Sequence, residues 1–120
     1  MTRPPVVGLL YPGYAAEDDF PALENALGGA IWLPLVHTSM GRDEHTVEAL
    51  LDTGSEDRLA AGADAVAVHS PDAVIWACTS GSFVYGPDGA AAQAAAISKR
   101  LGVPASSTSI AFVEAARALG

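Results

Sequence analysis

The most constraining stretch of the sequence is an apolar run at residues 73–77, which ends at the single cysteine of the chain, Cys78. The run contains β-branched and aromatic residues, which is typical of a strand buried on both faces of a parallel sheet. Small and polar residues follow directly, and an alanine-rich helical segment comes next. We therefore expect Cys78 at the carboxyl end of a central strand, the edge where ligands bind in open α/β sheets.

The turn after Cys78 is rich in hydrogen-bond donors, because Thr79, Ser80 and Ser82 add three hydroxyls to the backbone N–H groups. Such an array can hold an anion and stabilise a thiolate. A lone cysteine is also commonly a small buried packing residue. A packing cysteine would be expected among apolar neighbours. The polar residues that follow Cys78 therefore favour its interpretation as a nucleophile.

The remaining sequence alternates between apolar runs and helical segments. Strands are predicted at residues 5–11, 31–36, 73–77 and 103–108, and helices at residues 17–27, 45–51, 56–69, 89–101 and 110–119. Pro34 interrupts the second run, which predicts an edge strand or a bulge. The alternation predicts one α/β domain over residues 1–120, with a parallel sheet and right-handed crossovers.

Composition narrows the classes of partner. The chain has 120 residues, half of them apolar, which suits one compact domain with a real core. Its net charge is −8 with six Lys and Arg, which argues against nucleic acid as a partner. No apolar run reaches transmembrane length, so we expect no membrane partner. One cysteine permits no intrachain disulfide, which is typical of a cytoplasmic protein.

Several familiar kinds of site are excluded because the sequence lacks their motifs. The sequence has no Walker motif and no G-x-G-x-x-G fingerprint, and a nucleophile elbow would need glycine where Trp76 and Ser80 stand. The three histidines have no close ligand spacing to each other or to Cys78, so we expect no metal site. The loops that follow the strands, residues 11–14, 37–42, 78–82 and 106–109, should share one edge. Arg42 is their only cation, so an anionic ligand would be held mainly by neutral donors.

The central motif, Trp76-Ala77-Cys78-Thr79-Ser80-Gly81-Ser82-Phe83 with Gly86 after it, resembles the maleate cis–trans isomerase group of the aspartate/glutamate racemase superfamily. Arylmalonate decarboxylase is a close relation of that group. The opening Gly8-Leu9-Leu10-Tyr11-Pro12 and the region from Val103-Pro104 to Leu119-Gly120 are also similar, so the resemblance covers the whole chain. It implies a flavodoxin-like three-layer domain with a four-stranded parallel sheet, forming the N-terminal half of a two-domain fold.

The resemblance also implies cofactor-independent chemistry on a small dicarboxylate. Cys78 matches the nucleophile that adds to the double bond of maleate. Thr79 and Ser80 match residues that bind a carboxylate and stabilise an enediolate-like intermediate. Pro12 matches a pocket wall, and its neighbour Tyr11 is a further substrate-binding candidate.

Other functions stay open at this point. An arylmalonate decarboxylase-like or an amino-acid racemase-like enzyme is one alternative, although decarboxylases commonly have glycine at the position of Cys78. A non-catalytic fragment or a small-anion-binding domain is another. Family members run to about twice this length, as two domains of typical size require. Their second half supplies another cysteine, a tyrosine and an asparagine. We therefore expect pairing with a C-terminal half or in a homodimer, and an isolated chain without activity.

Overall fold

The computed structural model describes residues 3–14 and 16–120. These residues form four strands: β1 (Val7–Pro12), β2 (Leu35–Thr38), β3 (Ala73–Trp76) and β4 (Ala105–Ser107). They also form six α-helices: α1 (Asp19–Ala26), α2 (Val47–Thr53), α3 (Glu56–Val66), α4 (Thr79–Phe83), α5 (Gly86–Leu101) and α6 (Thr108–Leu119). A 3-10 turn at Ala67–His69 extends α3. No helix in this described part of the chain is long and apolar enough to cross a membrane.

The four strands make one parallel sheet in the order β2-β1-β3-β4. Leu10 in β1 pairs with Val36 on one side and with Trp76 on the other, so β1 and β3 are the central strands. Helices cover both sides of the sheet. This strand order is that of flavodoxin-like doubly wound folds. The predicted four-stranded parallel α/β architecture is confirmed.

The hydrophobic core lies where α3 and α5 pack against the sheet. Its buried side chains are Leu10, Leu59, Val66, Val74, Trp76 and Ile97. Burial of each of the aliphatic side chains contributes about 1.5–3 kcal/mol. Gly62 lets α3 approach closely, because a Cβ there would lie 2.8 Å from Cγ2 of Thr38 in β2. The core therefore fixes the sheet to the α3–α5 layer and presents the carboxyl ends of the strands at one edge.

The second strand begins later than the sequence predicts. Residues 31–36 are apolar, but Trp32 makes only an isolated bridge to Val6, and the strand runs over Leu35–Thr38. Pro34 explains the difference, because proline lacks the N–H that a regular strand would use. Its carbonyl still accepts a hydrogen bond from the Leu9 N–H at 2.9 Å. The predicted edge position of this strand is confirmed.

The segment after β3 is more helical than predicted. Residues 79–82 form α4 instead of a turn, and α5 starts at Gly86 instead of residue 89. The reason is local capping. Cys78 is the N-cap of α4, and the Ser82 hydroxyl donates to the Cys78 carbonyl at 2.6 Å.

The last strand and helix also differ in their bounds from the prediction. β4 is confined to Ala105–Ser107, and α6 begins at Thr108. Ser107 caps α6, and its hydroxyl accepts from the Ile110 N–H at 3.4 Å. The expected cap, Ser109, is the second residue of that helix.

Candidate active site

A cleft of about 320 Å³ opens at the carboxyl edge of the sheet. The end of β1, the residues that follow β3 and the segment between β2 and α2 form its walls. Fifteen residues line the cleft. Five of them are the site residues that the sequence singled out: Tyr11, Pro12, Cys78, Thr79 and Ser80. The other ten are Gly13, Tyr14, Met40, Arg42, Asp43, Glu44, His45, Leu50, Thr53 and Ala77. The cleft is thus a single place where the predicted nucleophile and the predicted carboxylate donors meet.

Cys78 lies two residues beyond β3 and is half-buried. Its sulfur accepts a hydrogen bond from the Gly81 N–H at 3.3 Å and lies 4.0 Å from the Ser80 hydroxyl. The same side chain packs against the edge of the hydrophobic core. One side of the thiol therefore faces the core and another faces the cleft.

The hydroxyls after Cys78 divide into two groups. Thr79 is exposed and Ser80 is half-buried, and both line the cleft. Ser82 is fully buried, donates to the Cys78 carbonyl, and its hydroxyl also meets that of Ser109 on α6. The expectation that Ser82 faces a ligand is wrong, because its hydroxyl ties α4 to α6 instead.

The serines at the end of β4 do not join the cleft either. Ser107 and Ser109 are both buried, the first as the cap of α6 and the second as the partner of Ser82. Of the four loops expected at this edge, only those after β1, β2 and β3 supply lining residues.

The wall at the end of β1 is aromatic. The Tyr11 hydroxyl accepts from the Ala16 N–H at 2.8 Å, which leaves its own proton free to be donated. The Tyr11 ring meets Phe20 edge-on, and the exposed Tyr14 ring lies 4.1 Å from that of His37. Pro12 lies between the two tyrosines. This wall combines aromatic rings with the hydroxyl of Tyr11, which can donate a hydrogen bond.

The segment between β2 and α2 brings charge to the cleft. Arg42, Asp43 and Glu44 line the cleft side by side, and Arg42 is the one Lys or Arg among the described lining residues. Its guanidinium lies 3.6 Å from the Glu44 carboxylate and 3.7 Å from that of Glu48. A cation is therefore present, but it is shared between two acids.

Gln93 supports the site from α5 and was not singled out from the sequence. Its buried amide nitrogen donates to the Gly54 and Gly81 carbonyls, each at 3.0 Å. These bonds tie α4, and with it Cys78, to the break between α2 and α3. The signal was present in the sequence, since Gln93 is the only polar residue within an alanine run at residues 90–96.

Two further observations bear on the location of the site. A larger groove of about 640 Å³ runs between α3 and α5, and neither Cys78 nor the hydroxyls that follow it line this groove. We assign the candidate site to the smaller cleft, because the thiol and the hydroxyls lie there.

Among the described residues, no three His, Cys, Asp or Glu side chains come together in a way that could hold a metal ion.

Comparisons with known proteins identify the fold. No protein-family model matches the sequence, and the curated proteins give no match either. Among solved structures, a maleate cis–trans isomerase mutant from Nocardia farcinica with a covalently bound succinylcysteine intermediate is 23% identical, with a TM-score of 0.80. The match covers 96% of this chain and 49% of that chain.

Two forms of arylmalonate decarboxylase match as well. A glycine-to-cysteine, cysteine-to-serine double mutant in the liganded form is 24% identical, with a TM-score of 0.72, over 97% of this chain and 47% of that one. Another structure of the decarboxylase is 25% identical, with a TM-score of 0.68, over 97% of this chain and 48% of that one. The chain therefore has the fold of these enzymes and spans about half their length, as the sequence resemblance implied.

Proposed function

We propose that this chain forms the nucleophile-bearing half of a cofactor-independent enzyme of the aspartate/glutamate racemase superfamily. The proposed reaction is of the maleate cis–trans isomerase type, on a small dicarboxylate. The observation that carries the proposal is the shared cleft: the Cys78 sulfur, the Thr79 and Ser80 hydroxyls and the Tyr11–Pro12 wall all border one space of about 320 Å³. A cleft of this volume suits a ligand of a few carbon atoms.

The proposed chemistry begins with the Cys78 thiolate. It adds to one alkene carbon of maleate and forms a C–S bond, while the π electron pair moves to the neighbouring carbon and its carboxylate. The former double bond becomes a single bond, which can rotate. Return of the electron pair reforms the double bond as fumarate and expels the thiolate. The step uses no oxidant, and every atom of the substrate is retained.

The roles of the hydroxyls follow from where charge accumulates. Addition places negative charge on the carboxylate next to the attacked double bond, and donors already fixed at that position stabilise it. We assign this role to Thr79 and Ser80, since both border the cleft beside Cys78. The Gly81 N–H stabilises the sulfur each time it becomes anionic, before addition and after elimination.

The chain needs a second wall to complete the proposed site. Electrostatic stabilisation of this kind works best in a pocket from which water is excluded. The matched enzymes are about twice as long as this chain. We therefore propose that a C-terminal half or a second copy covers the cleft, and that the 120-residue chain alone does not turn over maleate.

A decarboxylase-like reaction is the second candidate, since arylmalonate decarboxylase structures share the fold. The natural cysteine at position 78 favours the isomerase type, because covalent addition needs a nucleophile. The isomerase structure also has the highest TM-score of the three, 0.80 against 0.72 and 0.68, and holds a succinylcysteine intermediate.

The test is covalent trapping. We expect maleate to add to Cys78 in the folded chain faster than in the same chain unfolded in urea, as measured by intact-mass spectrometry. Cys78→Ser is the control and should show no adduct. Absorbance at high protein concentration should detect no fumarate from the chain alone. A folded chain whose thiol reacts more slowly than the unfolded one, with maleate and with iodoacetamide alike, would favour a non-catalytic domain with a packing cysteine.

A further inference from the structure

We propose that Arg42 binds the second carboxylate of the substrate and so sets the preference of the cleft for dicarboxylates over monocarboxylates. The inference rests on the proposed function, because it assumes that a carboxylate already occupies the Thr79–Ser80 side. Arg42 borders the same cleft from the segment between β2 and α2 and is the one Lys or Arg among the described residues that line it. A planar guanidinium can bind a carboxylate through two parallel hydrogen bonds.

Arg42 is held loosely in the structure. It is 3.6 Å from the Glu44 carboxylate and 3.7 Å from that of Glu48, beyond hydrogen-bond distance, and its side chain is 59% exposed. Exposed ion pairs of this kind hold a side chain weakly. Arg58 on α3 provides the contrast, since it lies 3.0 Å from the Asp52 carboxylate and is only 24% exposed. Arg42 can therefore exchange its partners for a ligand, whereas Arg58 serves as a fixed support.

The segment that carries Arg42 is anchored by Arg58. Arg58 bonds Asp52 and donates to the Ser39 hydroxyl at 2.9 Å, which holds the segment after β2 against the start of α3. Gly41 packs so closely on this pair that a Cβ would overlap the Asp52 carboxylate and lie 3.1 Å from Nη2 of Arg58. The backbone immediately before Arg42 is thus anchored, while its side chain remains available.

Neighbouring acidic side chains affect how strongly Arg42 can bind a ligand. Asp43 and Glu44 also line the cleft, so they repel a dianion unless the guanidinium is turned toward it. Glu44 and Glu48 compete directly with a ligand carboxylate for Arg42. Removal of either competing charge should strengthen dicarboxylate binding, whereas removal of Arg42 should weaken it.

The experiment is an NMR titration of the isotope-labelled chain with succinate, which has two carboxylates, and with butyrate, which has one. Arg42→Gln should weaken succinate binding about tenfold, in line with the loss of hydrogen bonds to a charged group, and leave butyrate binding unchanged. Arg42→Lys should fall between. Arg117→Gln is the matched control, because Arg117 is an exposed, ion-paired arginine on α6, outside the cleft. Glu48→Gln should tighten succinate binding by severalfold.

A second readout uses the single thiol. 2-Bromosuccinate carries two carboxylates and iodoacetate carries one, although both alkylate cysteine with loss of halide. Arg42→Gln should lower the rate of Cys78 alkylation by 2-bromosuccinate and leave the rate with iodoacetate unchanged.

The outcomes separate the two proposals. Succinate binding that is equal in Arg42→Gln and Arg117→Gln overturns the role of Arg42 and leaves the proposed function standing. No binding of either acid, together with slow alkylation by both reagents, overturns both.

Discussion

The backbone N–H of Gly81 points at the sulfur of Cys78 across 3.3 Å, and the space between the two residues admits no larger side chain. A Cβ at position 81 would lie 3.0 Å from that sulfur and 3.1 Å from Cζ2 of Trp76. The residue that caps α4 is therefore also the candidate nucleophile. The local energetics of this short helix and the chemistry of the thiol are coupled through one hydrogen bond.

Gly81→Ala should lower both the stability of the fold and the reactivity of the Cys78 thiol. The added methyl group must push the sulfur or the Trp76 ring aside, and overpacking of this kind typically costs about 1–3 kcal/mol of unfolding free energy. We expect a lower urea midpoint and slower alkylation of Cys78 by iodoacetamide in the folded state. Alkylation at the wild-type rate in a demonstrably folded variant would mean that the Gly81 N–H does not control the reactivity of the thiol.

Substitution of the cleft hydroxyls should slow addition without unfolding the chain. Thr79→Ala and Ser80→Ala should each reduce the rate of maleate addition to Cys78 by roughly ten- to a thousandfold if they act as oxyanion donors. The rate is measured by intact-mass spectrometry over time. Ser98→Ala on α5, outside the cleft, is the matched control and should react like the wild type. Unchanged rates in both cleft variants would restrict the site to Cys78 alone.

Gln93→Met should destabilise the fold from beneath the cleft. Methionine has a similar length but cannot donate to the Gly54 and Gly81 carbonyls, and each unpaired buried acceptor costs about 1–3 kcal/mol. Chemical denaturation should show the loss, and Lys99→Met, an exposed substitution on the same helix, should not. A Gln93→Met midpoint equal to that of Lys99→Met would show that water replaces the amide.

Asp72 should make the stability of the fold depend on pH in the acidic range. The Val6 N–H donates to its carboxylate at 2.8 Å, and this bond, with a smaller contribution from Arg3, holds the pKa of Asp72 below its ordinary value of 3.8. A carboxylate whose pKa is lower in the folded state stabilises the protein at pH values above its unfolded-state pKa. This contribution is lost as the pH falls through the folded-state pKa. Asp72→Asn should therefore lower the Tm near neutral pH, and the difference from wild type should shrink in strong acid. Asp88→Asn on α5 is the control.

The sequence predicted the parts of the site that depend on local pattern. The apolar run before Cys78 identified β3, and the rule that parallel strands end at one edge brought Tyr11 and Cys78 to the same cleft. Helix α4 was missed because Ser and Gly have low helix propensity. The helix has its N-cap at Cys78, and the Ser82 hydroxyl within it donates to the Cys78 carbonyl. The hydrogen bond between Ser82 and Ser109 joins residues 27 positions apart, which no local pattern reveals.

Arg42 shows the same limit. Its loop position and its charge were evident, but its partners depend on how the segment after β2 is anchored by Asp52 and Arg58. Those contacts belong to the tertiary fold. The functional roles of Cys78, Thr79, Ser80, Tyr11 and Pro12 stay predictions that the experiments above address.

The position of β1 in the middle of the sheet has a consequence for how the chain is made. β1 pairs with β3, and the Val6–Asp72 hydrogen bond at the start of that pairing joins residues 66 positions apart. Closing so long a loop is entropically costly, and folds built on distant strand pairs form slowly. On the ribosome, the apolar Leu9 and Leu10 must wait for β3 to emerge before they can be buried. The cleft forms only after synthesis has passed Ser80, so its β1 wall is made long before the thiol that it faces across the cleft is available.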